Sequence, residues 1–402
     1  MNFLNYQIED LKSSGGFHTA KEICSQPELW EKTYLKLLKE KGRIEIFFEK
    51  VLSNECLHVI LTGAGSSAFI GEALEGAFRK KWAIPCQAIS TTKIITHPEN
   101  YFIKSGPTLL ISFARSGDSP ESVATIELAK EYCDELYELN ITCNRDGNLA
   151  KNAGNEKSYV FLLPEETNDR SLAMTSSFSS MLLAGLLILH IGEIEQMKPI
   201  VRKIRDFGNY ILTESLPCLK KIAETDFKRI VFLGSGSLFG VAHESHLKVQ
   251  ELSDGYIIGK FDSFLGFRHG PKAVVNDTTL IVYLLSNKAY AKLYELDMVQ
   301  SVNKTAAGEK SVAIGNGYNE DEFKFDFSIE FPGGTADIPE DFLSVFYVIP
   351  AQIIGFYKSL NLGLSPDNPS KCGSITRVVQ GVKIYNSKEF ECDDLQINTL
   401  II

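Results

Sequence analysis

The chain has 402 residues, 44% of them hydrophobic and 23% charged, and its 41 Lys plus Arg against 51 Asp plus Glu leave a net charge of −10. A length of this order holds two or three domains, each able to bury a full core. The acidic balance, with no long basic run, excludes a general nucleic-acid binder, because affinity for a phosphate backbone needs concentrated Lys and Arg; an anionic small substrate stays open, since a local pocket decides that.

In chain order, Met1-Asn2-Phe3-Leu4 leads into Glu9, Asp10 and Lys12 rather than an apolar signal core. Residues 18–52 space Leu29, Trp30, Tyr34, Leu37, Phe48 and Val51 along one stripe and predict a helical preface. Short apolar runs at 58–62, 108–113, 138–143 and 158–163 then alternate with amphipathic stretches at 67–80, 119–133 and 176–192. Such alternation predicts a parallel sheet with helices on both faces. A charged, helical 196–227 reads as a linker helix. Beyond it come strands at 229–233, 279–285, 310–314 and 326–331 and helices at 237–254, 291–305 and 339–360, with a loop interrupted by Gly255, Gly259 and Gly266 in between. Residues 364–370, Leu-Ser-Pro-Asp-Asn-Pro-Ser, are turn chemistry, and the tail after them either folds back over a site or ends the chain. The most apolar run, 181–191, is about half a membrane span, so no membrane partner is expected. The eight cysteines form no CxxC pair and read as reduced thiols; a soluble cytoplasmic protein is the expectation.

The two halves echo each other. Residues 58–66 (His-Val-Ile-Leu-Thr-Gly-Ala-Gly-Ser) recur as 229–237 (Arg-Ile-Val-Phe-Leu-Gly-Ser-Gly-Ser), an offset of 171 residues from Gly63 to Gly234, and two further strands keep that spacing. The fold class is therefore α/β, two tandem doubly wound parallel-sheet domains after an N-terminal helical segment. Its expected bounds are 1–50 for the helical segment, 51–200 for the first domain, 215–385 for the second and 386–402 for the tail. After the second strand the copies part: the first has Ala114-Arg115-Ser116-Gly117-Asp118-Ser119 where the second has only Leu285-Ser286-Asn287-Lys288.

Gly63-Ala64-Gly65-Ser66-Ser67-Ala68 follows a strand and opens a helix, as a dinucleotide fingerprint does. A nicotinamide cofactor fails the second test: Cys86-Gln87-Ala88-Ile89-Ser90, about 20 residues on, offers no acid for a ribose hydroxyl. A single phosphate needs less, namely helix N–H groups with hydroxyls beside them. The first copy has three such places, Ser66-Ser67, Ser116-Gly117-Asp118-Ser119 beside Arg115, and Thr175-Ser176-Ser177, all placed to converge at the carboxyl edge of one sheet. Each is also an ordinary helix cap; three in one copy favour a phosphate monoester. In the second copy Glu244, Lys248 and Glu251 share one helix face at i, i+4 and i+7, either a solvated face or, starting as it does from the glycine turn, an acid-base set. His243 and His246 sit at i, i+3 rather than the i, i+4 of HExxH, with no third ligand nearby, so no metal is expected. His269, in Phe267-Arg268-His269-Gly270-Pro271, suits proton shuttling near neutral pH.

With these residues the chain resembles the sugar isomerase (SIS) domain family of phosphosugar-binding proteins over about 40–385. Within it, Thr19-Ala20-Lys21-Glu22-Ile23, Pro366-Asp367-Asn368-Pro369-Ser370 and Arg377-Val378-Val379-Gln380-Gly381 look like the two ends of the AgaS-type subgroup, described as galactosamine-6-phosphate deaminase/isomerases and formerly as tagatose-6-phosphate ketose/aldose isomerases. The resemblance implies two flavodoxin-like SIS domains, a sugar-phosphate substrate and no cofactor. It implies Ser116 and Ser119 as phosphate ligands and Glu251 as the base moving a proton between C1 and C2, with Lys248 and Glu244 on the remaining helix positions. His269 would assist ring opening from a neighbouring subunit, hence a homodimer or higher homo-oligomer. A distant relative, the isomerase half of glucosamine-6-phosphate synthase, forms a Schiff base through a tail lysine; here Ile375-Thr376-Arg377 has none, and Lys371 lies six residues before Arg377. The implied reaction converts galactosamine 6-phosphate to tagatose 6-phosphate and ammonia. Isomerisation without deamination, glucosamine 6-phosphate as substrate and a non-catalytic phosphosugar sensor are the alternatives.

Overall fold

A computed structural model describes residues 2–151, 155–304, 310–379 and 381–385; the expected tail segment 386–402 lies outside them. The helical preface is one helix, α1 (Phe17–Leu52), carrying Pro27 in its interior. Gly16 at its start offers no side-chain cap, and the job is done from the far end of the sequence: Asp367 accepts from the backbone N–H of His18 (3.1 Å) and Thr19 (2.7 Å). A carboxylate on these free donors also meets the positive end of the helix dipole.

The first sheet comprises β1 (His58–Thr62), β2 (Cys86–Ala88), β3 (Pro107–Ala114), β4 (Glu135–Thr142) and β5 (Ser158–Leu162), all parallel in the order β2-β1-β3-β4-β5. The second comprises β6 (Arg229–Leu233), β7 (Ile258–Asp262), β8 (Thr279–Leu284), β9 (Lys310–Ile314) and β10 (Phe327–Ile329), in the matching order β7-β6-β8-β9-β10. This is the flavodoxin-like order, whose ligand crevice lies at the carboxyl ends of the strands. Register matches as well, with His58 opposite Thr108 and Arg229 opposite Thr279. Val59 and Leu61 enter one buried cluster together with Ile230 and Phe232 of the other sheet, while Ile60 and Val231 enter separate outer clusters. The alternating strand residues therefore bind both sheets to a common core, as buried parallel sheets require.

Three expectations are corrected. The glycine-interrupted stretch after residue 254 is not all loop, because it contains the edge strand β7. A Cβ on Gly259 would stand 2.4 Å from the His246 carbonyl oxygen, so the glycine is there to let the strand lie against the helix before it. The linker is two helices, Lys198–Thr213 and Leu216–Glu224, and the last helix is split into Glu340–Tyr347 and Ile349–Asn361, each second piece carrying proline in its first turn. Glu340–Asn361 has the length and apolarity of a membrane span, and 94% of its most apolar window is buried inside the molecule.

Candidate active site

The site begins with two glycine turns. Gly65 and Gly236 adopt φ/ψ of 57/−130° and 56/−129°, which L side chains resist, and deliver α2 (Ser66–Trp82) and α3 (Ser237–Leu252) from the ends of β1 and β6. The two helices cross in direct backbone contact: a Cβ on Gly240 would lie 2.5 Å from Ala73 N and 2.7 Å from Phe69 O. Beside the crossing His243 stacks between Phe69 (3.5 Å) and Phe261 (3.7 Å) and its Nδ1 meets Glu72 at 2.7 Å.

This crossing carries Lys248 of the second copy onto Ser66 of the first. Lys248, 1% exposed, places Nζ 3.0 Å from Ser66 Oγ, 2.6 Å from Glu251 Oε2 and 3.3 Å from Glu244 Oε1. Burial opposes its charge, but the two carboxylates outweigh that and hold the ammonium above its ordinary range. Glu244 is fully buried; burial, with a smaller push from Glu251 and against the pull of Lys248, raises its carboxyl to about 7. Glu251 keeps 21% of its side chain exposed and lines a cavity of about 500 Å³ with Ser66, Arg115, Lys248 and the tail residues Ser374, Thr376 and Arg377. An adjoining pocket of about 100 Å³ is lined by Ser67, Ser116, Ser119, Ser122, Arg115 and Arg377. Ser119 caps the helix Pro120–Tyr132, and Gly117, at φ +70°, turns the loop between the two serines.

The SIS domain profile matches residues 52–191. D-galactosamine-6-phosphate deaminase AgaS of Shewanella sp. (strain ANA-3) is 39% identical over 381 residues, 94% of each chain. The chain belongs to the AgaS-type SIS family. Among solved structures similar to this AgaS-type chain, the tagatose-6-phosphate ketose/aldose isomerase from Escherichia coli superposes with a TM-score of 0.84 at 35% identity, covering 92% of this chain and 97% of that one. A Clostridium novyi NT protein does so at 0.92 and 41%, covering 96% and 99%.

Not every residue expected in the site of this AgaS-type chain arrives there. Ser176 and Ser177 do not face a ligand. Both hydroxyls are donated to Asp169, which also accepts from the backbone N–H of Thr175 (2.8 Å) and Ser177 (2.9 Å), all of it buried. An internal carboxylate already fills that helix N-terminus, where a free anion would otherwise sit. His269 is exposed on the loop between Gly266–Arg268 and Pro271–Val274 and does not line the cavity, so one chain by itself does not bring it to Glu251. Lys371 is likewise exposed, its backbone N–H on Asp254 (3.3 Å), and only the residues after it reach the cavity. Among the described residues no group of three His, Cys, Asp or Glu is placed to hold a metal; His246 Nδ1 contacts the His243 carbonyl, and burial pushes its pKa down to about 4.

The site is fastened by Arg115, which the sequence already set beside the phosphate loop, and by Arg377 and Glu22, to which it gave no place in the site. Arg115, buried, donates Nη1 to the carbonyls of Ser171 (3.2 Å) and Leu172 (3.0 Å) and Nη2 to that of Arg377. Arg377 in turn donates Nε to the Asp169 carbonyl and Nη2 to Asn168 Oδ1, each at 2.8 Å. Glu22 of α1 accepts from Arg170 N (2.6 Å) and from Ser171 Oγ; burial first and the nearby Asp169 second push its carboxyl well above the usual range. Glu22, Asp367 and Arg377 stand in the stretches quoted above as marks of a subgroup, which was the one signal the sequence held for them.

Proposed function

We propose that the protein is an isomerase and deaminase of a 6-phosphorylated amino sugar, converting galactosamine 6-phosphate and water to tagatose 6-phosphate and ammonia. The observation that carries this is the meeting of Glu251, Lys248 and Ser66 at one wall of a cavity that adjoins the pocket lined by Ser116 and Ser119. The first unit, about 51–200, anchors the phosphate through Ser116, Ser119, Ser67 and the Arg115 guanidinium; the second, about 215–385, supplies the chemistry. Glu251 removes the C2 proton of the open-chain aldose, and Lys248 stabilises the enolate oxygen that develops at C1. Reprotonation at C1 leaves an imine at C2. Water adds to that carbon, and the C–N bond breaks to give the ketose and ammonia. A Glu244 carboxyl that carries its proton up to about pH 7 leaves the Lys248 charge directed at Glu251 and the substrate.

His269 enters this scheme from a second subunit, opening the sugar ring, which makes the working unit at least a homodimer. The reading is supported by the name of the Shewanella relative and, for the proton transfer alone, by that of the E. coli isomerase. The described cysteines are all free, in keeping with a cytoplasmic enzyme. Measuring ammonia released from galactosamine 6-phosphate and from glucosamine 6-phosphate tests it and chooses the C4 epimer. If neither releases ammonia while tagatose 6-phosphate is isomerised, the deaminase step is wrong and the proton transfer stands. Binding of all three with no turnover would make the protein a sensor.

A further inference from the structure

The second sheet has its own glycine turn at its own carboxyl edge, and something already sits there. At the 171-residue offset Gly236 falls on Gly65, Ser237 on Ser66, Ser286 on Arg115 and Lys288 on Gly117. The turn has the same backbone angles as its twin to within a degree. Around the twin the cavity is open. Around Gly236 it is filled by the side chain of Glu340: a Cβ on Gly236 would lie 3.7 Å from Glu340 Oε2, Ser286 Oγ donates to Oε1, and Lys288 Nζ pairs with Oε2. The Lys288 backbone N–H also donates to Ser286 Oγ (3.0 Å).

A hydroxyl, an ammonium and the first turn of a 16-residue helix are the groups that hold a phosphate. Glu340 is 8% exposed, and the segment before it is tied down by Asn287 Nδ2 on the carbonyls of Thr335 and Ile338, both at 2.8 Å. The buried Glu295 also stands here, accepting from the Ser286 N–H (2.8 Å), and Ser237 Oγ, 6% exposed, has no hydrogen-bond partner among the described residues.

We propose that the second sheet retains an oxyanion site which the chain occupies with its own Glu340 carboxylate, and that vacating Glu340 opens it to inorganic phosphate or a phosphate monoester. The internal carboxylate thereby limits each chain to one sugar phosphate, held at the first sheet.

The test is calorimetric titration of the full-length protein with inorganic phosphate. Glu340→Ala should take up one more phosphate per chain than the wild type, and adding Lys288→Ala should remove the extra one; equal uptake by Glu340→Ala and wild type overturns the proposal. The comparison with the first cradle rests on the function proposed above, and Ser116→Ala separates the two. A wild type that binds no phosphate defeats the reading of the first cradle, whereas uptake by Ser116→Ala/Glu340→Ala over that of Ser116→Ala alone decides the second. Should Glu340→Ala fail to fold in phosphate-free buffer, it is refolded in phosphate and in chloride at equal ionic strength. Recovery in phosphate alone supports an oxyanion site, and no difference between the two salts overturns it.

Discussion

Glu251 faces the cavity while Glu244, two turns of helix earlier, is sealed from it, so two carboxylates on the same ammonium have different work open to them. An amide at position 251 keeps an acceptor for Lys248 but cannot take a proton. Glu251→Gln should therefore lower kcat by about 10²- to 10⁴-fold while galactosamine 6-phosphate binds as before; ligand titration beside steady-state kinetics reads both, and retained turnover removes Glu251 from the mechanism. A different residue governs stability. Burial, against hydrogen bonds from the Ser286 N–H and Ser235 and with help from Glu340, pushes Glu295 up to about 7. The folded chain then holds a proton that the unfolded chain releases near pH ~4.3. Its contribution is complete below that pH and declines as the pH rises to about 7. Glu295→Gln cannot titrate, so between these limits it should lose less stability than the wild type, by on the order of 3 kcal/mol. Denaturant unfolding of both proteins across pH 4.5 to 7.5 checks this, and parallel curves would contradict it.

Among elements, the α2–α3 crossing and the tail decide whether these residues meet. Gly240 sits against backbone rather than a movable side chain, so Gly240→Ala must push the helices apart, at about 1–3 kcal/mol and with Lys248 drawn off Ser66. A fall in Tm together with lost turnover is expected; a variant with wild-type Tm would mean that the crossing can give way. The tail is held by charged hydrogen bonds from Arg377, each worth about 1.5–3 kcal/mol. Arg377→Ala should free it and raise KM by about 10- to 100-fold with a smaller change in kcat, since Arg377 positions the wall of the cavity and not the reacting atoms. An unchanged KM would show the strap to be decoration. The elements themselves were largely legible: β1, β6 and β9 start and end where their apolar runs do. β7 was not, because its glycines read as a loop until the helix beneath explains Gly259. The serines of Thr175-Ser176-Ser177 looked like a phosphate site because a helix N-terminus invites any anion, and nothing local says that Asp169, six residues back, is the anion that comes.

At the scale of the whole molecule the two copies share one core, and in the proposed scheme they divide one site whose ring-opening His269 comes from a second subunit. Glu251→Gln and His269→Ala, each inactive alone, should regain activity when unfolded and refolded together. About a quarter of the wild-type level is expected if a two-fold dimer forms at random from equal amounts; no recovery would place the ring-opening group within one chain or outside the scheme. The sequence by itself determined the fold class, the duplication and the helix that bears Glu244, Lys248 and Glu251, because periodicity and strand spacing are local and survive in a linear reading. Only the tertiary structure decided which hydroxyls are free. It set Asp169 on Ser176 and Ser177 and Glu340 on Ser286, and it brought Asp367 and Arg377 back from the far end of the chain to Thr19 and Asn168. A charged group chooses its partner by distance in space and by how much water surrounds it. Neither quantity is written in the order of the residues.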